Sequence, residues 1–445
     1  MGSPYLLGWA GVCRANREIP DFEVQVVCRA PVEGSSVVFS DLGGEWGQGD
    51  QTPGLAALHC GFSHCEAFRA VCVHFDEPIP IRLDGIEERP GDECVLEPVT
   101  GHPGRAHWLP SLPWQRLCYS KGIMPRRYLV TGGAGFIGSN FVRFVLEREP
   151  EASVINLDSL TYAGVQATVD ELNESPRHTF ARGDIRDGGL VDDVVSGVDV
   201  VVNFAAESHV DRSIEGPSVF LETNVVGTGN LIDAARRHDV SRFVQVSTDE
   251  VYGSIADGFA PEGASLEPSS PYSASKAGAD LLVQSYEVTF DYPAIITRCT
   301  NNYGPYQFPE KMIPLFVTNL LDGKKVPVYG DGLNERDWLY VEDHCAAIHL
   351  LVDEGTPGEV YNIGANAQVS NLELTKRLLE ATGRDESFIE FVPDRPGHDR
   401  RYAVDSSKIR SLGWAPDHTL AERLVDTIEW YKNRSDWWQP LKAGR

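Results

Sequence analysis

The chain has 445 residues, 42% of them hydrophobic, and a formal net charge of −26 at pH 7; its length suggests two or three domains. The acidic excess argues against binding to nucleic acid or to an anionic membrane surface. No run of about 18 apolar residues occurs and the amino terminus lacks the basic start of a signal peptide, so we expect a cytoplasmic protein. Because only 9 of the 39 basic residues are lysines, we hypothesise that the protein is adapted to a salt-rich cytoplasm.

The first 123 residues contain seven of the nine cysteines but no motif with a chemical role. The segment from His59 to Cys65 holds two histidines and two cysteines, yet no second pair stands at zinc-site spacing, so we expect no metal. Met124 directly precedes the first clear strand. Residues 1–123 are therefore either an accessory domain or the product of a start site placed too far upstream, and we favour the second interpretation.

From residue 128 onward, predicted strands and helices alternate, which is typical of a doubly wound parallel α/β sheet with helices on both faces. The predicted strands are 128–131, 153–157, 178–181, 199–204, 242–247 and 293–298, and the predicted helices are 137–148, 188–196, 218–238 and 272–290. After about residue 300 the pattern becomes irregular, with helices predicted at 310–322, 341–352, 371–382 and 419–432 and short strands at 326–329 and 359–363. We predict a dinucleotide-binding domain over 124–300 and a smaller α/β part, mainly substrate-binding, over 301–445.

Three glycines lie where the first strand turns into the first helix. Gly132 permits a tight turn, Gly135 allows close approach of a pyrophosphate, and Gly138 allows the helix to pack closely; the helix N-terminus favours negative charge. Asp158 ends the next strand, 20 residues after Gly138. A carboxylate there hydrogen-bonds a free ribose 2′-hydroxyl and repels a 2′-phosphate, so the sequence predicts NAD rather than NADP.

Two pairs of polar residues follow the fifth predicted strand, one at its end and one in the next predicted helix. Asp249 and Glu250 come directly after Thr248 at the end of a strand, where ligands bind in open sheets. Tyr272 and Lys276 share one helix face, and an ammonium near the phenol, with a cationic nicotinamide, favours a phenolate that accepts a substrate proton. Alone, the first pair is more typical of a solvated turn, and the second fits an amphipathic helix and a catalytic pair equally well. The glycine pattern in the same chain favours a chemical role for both pairs.

Together these motifs resemble the extended short-chain dehydrogenase/reductases that act on nucleotide sugars, which have a Rossmann fold, and most closely the dTDP-glucose 4,6-dehydratase family. The further segments that carry the resemblance are Leu160–Gly164, Ala205–Ser213, Ser247–Gly253, Pro271–Lys276, Asn301–Pro305, Phe308–Lys311, Arg336–Asp343 and Arg395–Tyr402. The resemblance runs from Met124 nearly to the end and leaves 1–123 outside. Ser159 is a departure, since the family often has lysine after the ribose aspartate; this puts cofactor contacts in doubt but not the reaction.

The resemblance implies a closed redox cycle on a glucose unit, in deoxysugar (for example rhamnose) biosynthesis. Tyr272, supported by Lys276, takes the 4-hydroxyl proton while NAD⁺ takes hydride from C4, and Thr248 bonds the 4-oxygen. Glu250 then removes the C5 proton and Asp249 protonates the departing C6 hydroxyl. Hydride returns to C6, so the product is a 4-keto-6-deoxy sugar and NAD stays bound.

The resemblance also implies which residues contact each ligand. For NAD these are Gly132, Gly135, Phe136, Ile137, Gly138, Asp158, Ser159, Leu160, Thr161, Asp184, Ile185, Phe204, Ala205, Ala206, Glu207, Ser208, Thr223, Tyr272, Lys276 and Asn302. For the nucleotide sugar they are Ser208, Thr248, Asn301, Lys311, Met312, Pro327, Val328, Tyr329, Arg336, Asn371, Asp394, Arg395, Pro396, Gly397 and His398. Lys311 and Arg336 suit the diphosphate. In the family, helices corresponding to 218–238 and 272–290 form a four-helix interface, so we expect a homodimer.

Two other functions remain open from the sequence. A nucleotide-sugar 4-epimerase or a UDP-glucuronate decarboxylase of the same fold would need Tyr272 and Lys276 but not both acids, which makes Asp249 the discriminating residue. A non-catalytic NAD-sensing protein would need none of these side chains.

Overall fold

The computed structural model describes residues 125–443 together with five short strands before them. Those strands are Arg14–Ala15, Val27–Arg29, Ser36–Val38, Ala56–His59 and Ile81–Asp84. The chain divides into two compact units, Met1–Gly122 and Ile123–Arg445. In the first unit Ala56–His59 pairs with two of the other strands, and Val27–Arg29 pairs with Ser36–Val38. Cys60, His64 and Cys65 lie outside the described residues.

The second unit is built around a parallel sheet, and its elements are numbered from its own start. Its strands are β1 (Arg127–Thr131), β2 (Ser153–Asp158), β3 (His178–Arg182), β4 (Val200–Asn203), β5 (Arg242–Thr248), β6 (Ala294–Cys299), β7 (Asn301–Tyr303), β8 (Val326–Tyr329), β9 (Glu335–Tyr340), β10 (Val360–Ile363), β11 (Gln368–Ser370) and β12 (Ile389–Val392). Seven of them form one sheet in the order β10-β6-β5-β4-β1-β2-β3, with every neighbouring pair parallel. This order confirms the predicted doubly wound sheet.

Helices cover both faces of this sheet, and others pack in a second core. The helices of this unit are α1 (Phe136–Arg148), α2 (Gln166–Leu172), α3 (Gly188–Val195), α4 (Val210–Glu215), α5 (Pro217–Leu221), α6 (Thr228–Arg237), α7 (Pro271–Phe290), α8 (Met312–Leu321), α9 (Val341–Glu354), α10 (Asn371–Ala381), α11 (Ser407–Ser411), α12 (Leu420–Asn433) and α13 (Ser435–Ala443). Side chains of a strand alternate between faces, so Tyr128 and Val130 join a core with α1 and α9, whereas Leu129 joins a core with α3, α6 and α7. No helix within 125–443 has the length and apolar character needed to cross a bilayer.

The region after residue 300 adds a second core and one strand of the main sheet. Phe316, Trp338, Leu378 and Ile428 are buried together in that second core. The seventh strand of the main sheet, β10, also comes from this region. The proposed division into a cofactor domain and a substrate part stays a prediction.

One predicted helix differs in its middle. The pattern at 218–238 predicted a continuous α-helix, but Glu222–Gly227 forms a wider π-helical segment between α5 and α6. Segments of this type insert an extra residue into a helical turn and are frequent at functional sites.

Candidate active site

The glycine turn between β1 and α1 forms a close-packed cradle. Gly132 has a φ of +69°, and a Cβ there would lie 2.8 Å from the Ala205 amide nitrogen. A Cβ on Gly138 would lie 2.4 Å from the Gly132 carbonyl oxygen, so α1 packs directly on the turn. A Cβ on Gly135 would meet only that same oxygen within 4 Å, at 3.2 Å. The open side of Gly135 therefore fits a pyrophosphate at the helix N-terminus.

Asp158 joins this cradle to the loop after β2. Its Oδ2 accepts a hydrogen bond from the Ala134 amide at 3.0 Å, and its Oδ1 accepts one from the Leu160 amide at 2.8 Å. Burial raises the pKa of Asp158, and these two backbone hydrogen bonds oppose the shift. Leu160 has a φ of +55°, a strained conformation for a non-glycine residue. The carboxylate is thus fixed at the carboxyl edge of β2, as a ribose-binding acid requires.

The other residues assigned to the cofactor lie along the same edge of the sheet. Ser159 and Thr161 follow β2, Asp184 and Ile185 follow β3, Phe204, Ala205, Ala206, Glu207 and Ser208 follow β4, Thr223 lies in the π segment, and Phe136 and Ile137 begin α1. Asp184 makes an ion pair with Arg186 at 2.7 Å and lines a groove with Asp187 and Glu222. Carboxyl ends of parallel strands meet at one edge, where open α/β sheets bind ligands.

Asn224 in the π segment was not identified from the sequence. Its side chain exchanges two hydrogen bonds with the backbone of Glu207, at 2.9 and 3.0 Å, and donates a third to Ser275 Oγ at 2.8 Å. The side chain is fully buried. Asn224 therefore ties the loop after β4 to α7, and the π segment brings it to that position.

The start of α7 positions Tyr272 and Lys276. Ser270 caps the helix by accepting a hydrogen bond from the Ser273 amide at 3.1 Å, and Pro271 occupies the first turn. Lys276 Nζ donates to the Val246 carbonyl oxygen on β5 at 2.6 Å. Burial and the charge of Glu250 raise the pKa of Tyr272 well above its usual value, so the groups of the chain alone favour a neutral phenol.

The acid pair lies in a short 3-10 turn, Asp249–Tyr252, directly after β5. Thr248 Oγ1 donates to Asp249 Oδ1 at 3.2 Å and accepts from the Glu250 amide at 3.2 Å. Asp249 is 3% exposed, and within residues 125–443 its Oδ2 has no hydrogen-bond partner.

The environments of the two acids differ. Burial and the charge of Glu250 raise the pKa of Asp249 well above its usual value. Burial also raises the pKa of Glu250, but there Lys311, Arg336 and Arg395 oppose the shift. Two carboxyl groups with different environments can serve as acid and base. Only the charge of Arg336 opposes the shift of Asp249, whereas three cations oppose that of Glu250, so Asp249 is the more readily protonated acid.

Three cations, Lys311, Arg336 and Arg395, lower the pKa of Glu250 by their charge. Lys311 Nζ donates to the Ser208 carbonyl oxygen at 2.8 Å. Arg336 donates to the carbonyl oxygens of Glu335 and Asp399, at 2.8 and 2.9 Å, and its guanidinium lies 4.1 Å from the ring centre of Tyr402. The two side chains assigned to a diphosphate thus lie beside the acid pair.

The remaining residues assigned to the substrate are more widely spread. Asn301 is on β7, next to Asn302, which is assigned to the cofactor. Pro327, Val328 and Tyr329 are on β8, Asn371 begins α10, and Asp394, Arg395, Pro396, Gly397 and His398 follow β12. β8 pairs with β12, and the rings of Tyr329 and His398 are 6.2 Å apart. Met312 packs against the second core. The structure therefore brings the β8 strand and the Asp394–His398 loop together.

Two further buried residues near the site carried no sequence signal. Cys299 Sγ lies 3.4 Å from the Ser247 carbonyl oxygen, and burial together with Asp249 raises the pKa of its thiol to about 12. His344 Nδ1 lies 2.9 Å from Asn302 Oδ1, and burial lowers the pKa of this imidazole to about 3. Both groups are neutral at pH 7. No set of three potential metal ligands is found between residues 125 and 443.

A dinucleotide cradle, a Tyr–Lys pair and an acid pair at one sheet edge define an NAD-dependent enzyme that combines redox chemistry with proton transfer. Residues 129–427 match the family model of GDP-mannose 4,6 dehydratase. A dTDP-glucose 4,6-dehydratase of Streptomyces antibioticus is 54% identical over 320 residues, which cover 71% of this chain and 95% of that protein. The low-salt glycan biosynthesis protein Agl12 of Haloferax volcanii is 55% identical over 303 residues, 68% of this chain and 97% of that protein.

A solved structure agrees with these matches. The dTDP-glucose 4,6-dehydratase DesIV of Streptomyces venezuelae, crystallised with NAD, is 54% identical, has a TM-score of 0.69, and is similar over 71% of this chain and 99% of that one. The chain belongs to this family of NAD-dependent nucleotide-sugar 4,6-dehydratases, as its sequence motifs predicted.

Proposed function

We propose that the enzyme dehydrates dTDP-glucose to dTDP-4-keto-6-deoxyglucose in deoxysugar biosynthesis, using the catalytic and binding residues assigned above. The observation that carries the proposal is the acid pair beside Tyr272. Asp249 is buried and one of its oxygens has no hydrogen-bond partner within residues 125–443, and Glu250 faces three cations. An elimination across neighbouring carbons requires one group to accept a proton and another to donate one.

Each residue has one task in this scheme. Tyr272 would be ionised to its phenolate by the positive charges of Lys276 and bound NAD⁺. The phenolate accepts the 4-hydroxyl proton, and Thr248 holds the 4-oxygen. Glu250 accepts the C5 proton once C4 is a ketone, and Asp249 donates a proton to the C6 hydroxyl, which leaves as water. When bound, NAD supplies the hydride acceptor at C4 and the hydride donor at C6.

The protons balance over one cycle. Glu250 returns its proton to C5, so Tyr272 ends with one extra proton and Asp249 lacks one. The Thr248 hydroxyl faces the phenol and donates to Asp249 Oδ1. Proton transfer along this line restores both groups.

The cradle residues fit NAD and the cations fit a diphosphate. The open side of Gly135 and the fixed carboxylate of Asp158 suit a pyrophosphate and a ribose. Lys311 and Arg336 supply charge at the acid pair, where a sugar diphosphate would bring two phosphates. A 4-epimerase or a decarboxylase has no need for Asp249, and an NAD sensor has no need for Tyr272.

The substrate is tested by incubating the full chain separately with dTDP-glucose, UDP-glucose and CDP-glucose, without added NADH. We expect a 4-keto-6-deoxy product mainly from dTDP-glucose. A product only from UDP-glucose or CDP-glucose would contradict the proposed base specificity, and an epimer without a keto sugar would contradict the dehydration.

The assigned roles are tested by single-turnover absorbance of the reduced nicotinamide. Tyr272→Phe removes the first base, so little reduced cofactor should form, a loss on the order of 10²–10⁴ in rate. Glu250→Gln should still oxidise C4, so the signal should rise and fail to decay. Normal signal in Tyr272→Phe, or normal decay in Glu250→Gln, would show that the corresponding role is wrong.

We also propose a homodimer formed by the surface of α5, the π segment and α7. Leu221, Val226, Leu281 and Val288 are 52%, 56%, 56% and 81% exposed on this surface. Contiguous exposed apolar side chains are typical of an interaction site. Sedimentation at micromolar concentration should give a dimer, and Leu281→Glu should give a monomer. Val425→Glu, at an equally exposed valine on α12, is the matched control and should leave the dimer intact.

We place the enzyme in the cytoplasm. Cys299 and Cys345 are buried free thiols in the described part of the chain, which suits a reducing compartment. Recovery of the native enzyme in the cytoplasmic fraction is the test, and recovery outside the cell would contradict it.

A further inference from the structure

A buried ion pair lies behind the catalytic residues. Asp280 on α7 and Arg298 on β6 have side chains 0% and 2% exposed, and Arg298 Nε donates to Asp280 Oδ2 at 2.9 Å. Replacing such a pair by apolar residues is often neutral or stabilising, because both charges lose their hydration. Stability alone therefore gives little reason for its presence.

The aspartate of the pair lies on the same side of α7 as Lys276. Asp280 is one helical turn after Lys276 and both are buried, so the charge of Asp280 raises the pKa of Lys276. Lys276 is otherwise bonded to the Val246 carbonyl and faces the neutral thiol of Cys299. Asp280 is thus the carboxylate that accompanies the buried ammonium, and it also faces Ser247 and Arg298.

The arginine end of the pair holds the turn that carries the acids. Arg298 Nη1 donates to the Tyr252 hydroxyl at 2.8 Å, and that hydroxyl donates to Asn362 Oδ1 on β10 at 2.8 Å. Tyr252 is the last residue of the 3-10 turn that begins at Asp249. Two different nitrogens of one guanidinium thereby connect the helix of Lys276 to the turn of the acid pair.

We propose that Asp280 and Arg298 are positioning residues that serve the two half-reactions separately. Asp280 keeps Lys276 charged beside Tyr272 for oxidation at C4, and Arg298, through Tyr252, holds the turn of Asp249 and Glu250 for the elimination. The inference rests on the proposed function, because it uses the roles assigned there to the Tyr272–Lys276 pair and to the acid pair Asp249–Glu250.

The charges around the phenol set the sign of the expected effect. Tyr272 faces Thr248, Asp249, Glu250 and Cys299, and Asp280 is not among the groups that shift its pKa. Loss of the Asp280 charge therefore acts through Lys276, whose pKa is already lowered by burial and is raised by Asp280. Without that charge, Lys276 loses its proton at a lower pH.

The first test is Asp280→Asn in the full chain, with dTDP-glucose and single-turnover absorbance across pH. The alkaline limit of C4 oxidation should move down by about 1–3 pH units, the usual effect of one nearby charge. Asp343→Asn, a buried aspartate on α9 that accepts a hydrogen bond from the Asp417 amide, is the matched control and should leave the limit unchanged. If the alkaline limit of C4 oxidation does not shift in Asp280→Asn, the proposed role of Asp280 is wrong.

The second test is Tyr252→Phe, which removes only the hydroxyl held by Arg298. C4 oxidation should keep its rate and pH limits, whereas decay of the reduced-nicotinamide signal should slow about 10–100-fold, as expected for a small misplacement. A merely structural role would lower the melting temperature and slow both steps together, and that result overturns the proposal.

A third variant tests the ion pair without removing either charge. If Asp280→Asn does not fold, Arg298→Lys tests the ion pair. A lysine keeps the positive charge but cannot bond Asp280 and Tyr252 at the same time, as the guanidinium does. Both C4 oxidation and the elimination should therefore slow. Tyr272→Phe is run in the same series. If Tyr272→Phe forms reduced cofactor normally, the proposed function fails. If Tyr272→Phe forms no reduced cofactor while the Asp280, Arg298 and Tyr252 variants behave as wild type, only this inference fails.

Discussion

Two buried carboxyl groups lie at opposite ends of the strands of the main sheet and differ in how many hydrogen-bond donors contact them. Glu149, directly after α1, is 8% exposed, and its Oε1 accepts from Arg126 at 2.6 Å, from the Tyr128 hydroxyl at 2.6 Å and pairs with His349 at 2.7 Å. Burial alone would raise the pKa of Glu149, but these partners outweigh it and lower the pKa. Asp249 at the other end is about as buried, yet one of its oxygens has no partner in the described residues.

The difference separates a structural carboxylate from a reactive one. Glu149 is ionised and satisfied, so it fastens the start of β1 to α9 and gives nothing to a ligand. For Asp249, burial and the charge of Glu250 outweigh the opposing charge of Arg336, so its neutral, proton-donating form is favoured. The same side-chain chemistry therefore serves the fold or the reaction according to how many donors surround it.

The largest expected effect is on activity. Asp249→Asn keeps the shape of the side chain but removes its proton, so the elimination should slow by on the order of 10²–10⁴. Glu149→Gln, measured at a temperature where it is folded, should keep nearly the full turnover rate. Steady-state formation of the keto product checks both, and comparable losses in the two variants would break the comparison.

Stability should respond in the reverse order. Glu149→Gln leaves charged and hydroxyl donors with a weaker acceptor, so the free energy of unfolding should fall by about 1–3 kcal/mol. Asp249→Asn removes an acid that the fold does not satisfy and should not lower it. Urea unfolding of both variants at pH 7 is the measurement; a clear loss in Asp249→Asn would show that Asp249 is structural.

The pH dependence of stability should differ in sign. The pKa of Glu149 is lowered in the fold from 4.5, so its contribution is present above pH 4.5 and is lost as the pH falls through the folded value. The pKa of Asp249 is raised from 3.8, so its contribution is full below pH 3.8 and is lost as the pH rises through the folded value. The melting temperatures of Glu149→Gln and of Asp249→Asn should therefore each approach that of the wild type at low pH. At pH 7 the wild type should be more stable than Glu149→Gln but not more stable than Asp249→Asn.

The smallest effect is expected from removal of residues 1–123. All assigned site residues and the family match at 129–427 lie after this segment. A chain that starts at Met124 should fold and retain the turnover rate of the full chain. Insoluble or inactive protein would show that the first unit is an accessory domain rather than an upstream extension.

Much of the fold was predictable because apolar strands and helices alternate regularly up to residue 300. Strand β9 was missed because it begins with the charged residues Glu335-Arg336-Asp337, which are typical of an exposed segment. In the structure Arg336 and Asp337 are buried near the site, and both hydrogen-bond to backbone groups. Short helices such as α2 have too few residues for a clear apolar period.

The site was predictable where residues with a chemical role stand close together in the sequence. Asp249 and Glu250 are adjacent, and Tyr272 and Lys276 are one helical turn apart. Asp280 and Arg298 are 18 positions apart on different elements, and their pairing depends on how α7 lies on β6. The positions of single side chains across a sheet follow from packing, which no local pattern reports.

The π segment restricts how this gene could change in length. Each α-helical residue turns the chain by about 100°, so deleting one residue from Glu222–Gly227 would restore a regular helix and rotate everything before it relative to α6. Asn224 would leave the Glu207 backbone, and Leu221 would leave the proposed subunit surface in the same event. Point substitutions can alter these two features one at a time, but a one-codon deletion would disturb the cofactor loop and the subunit contact together.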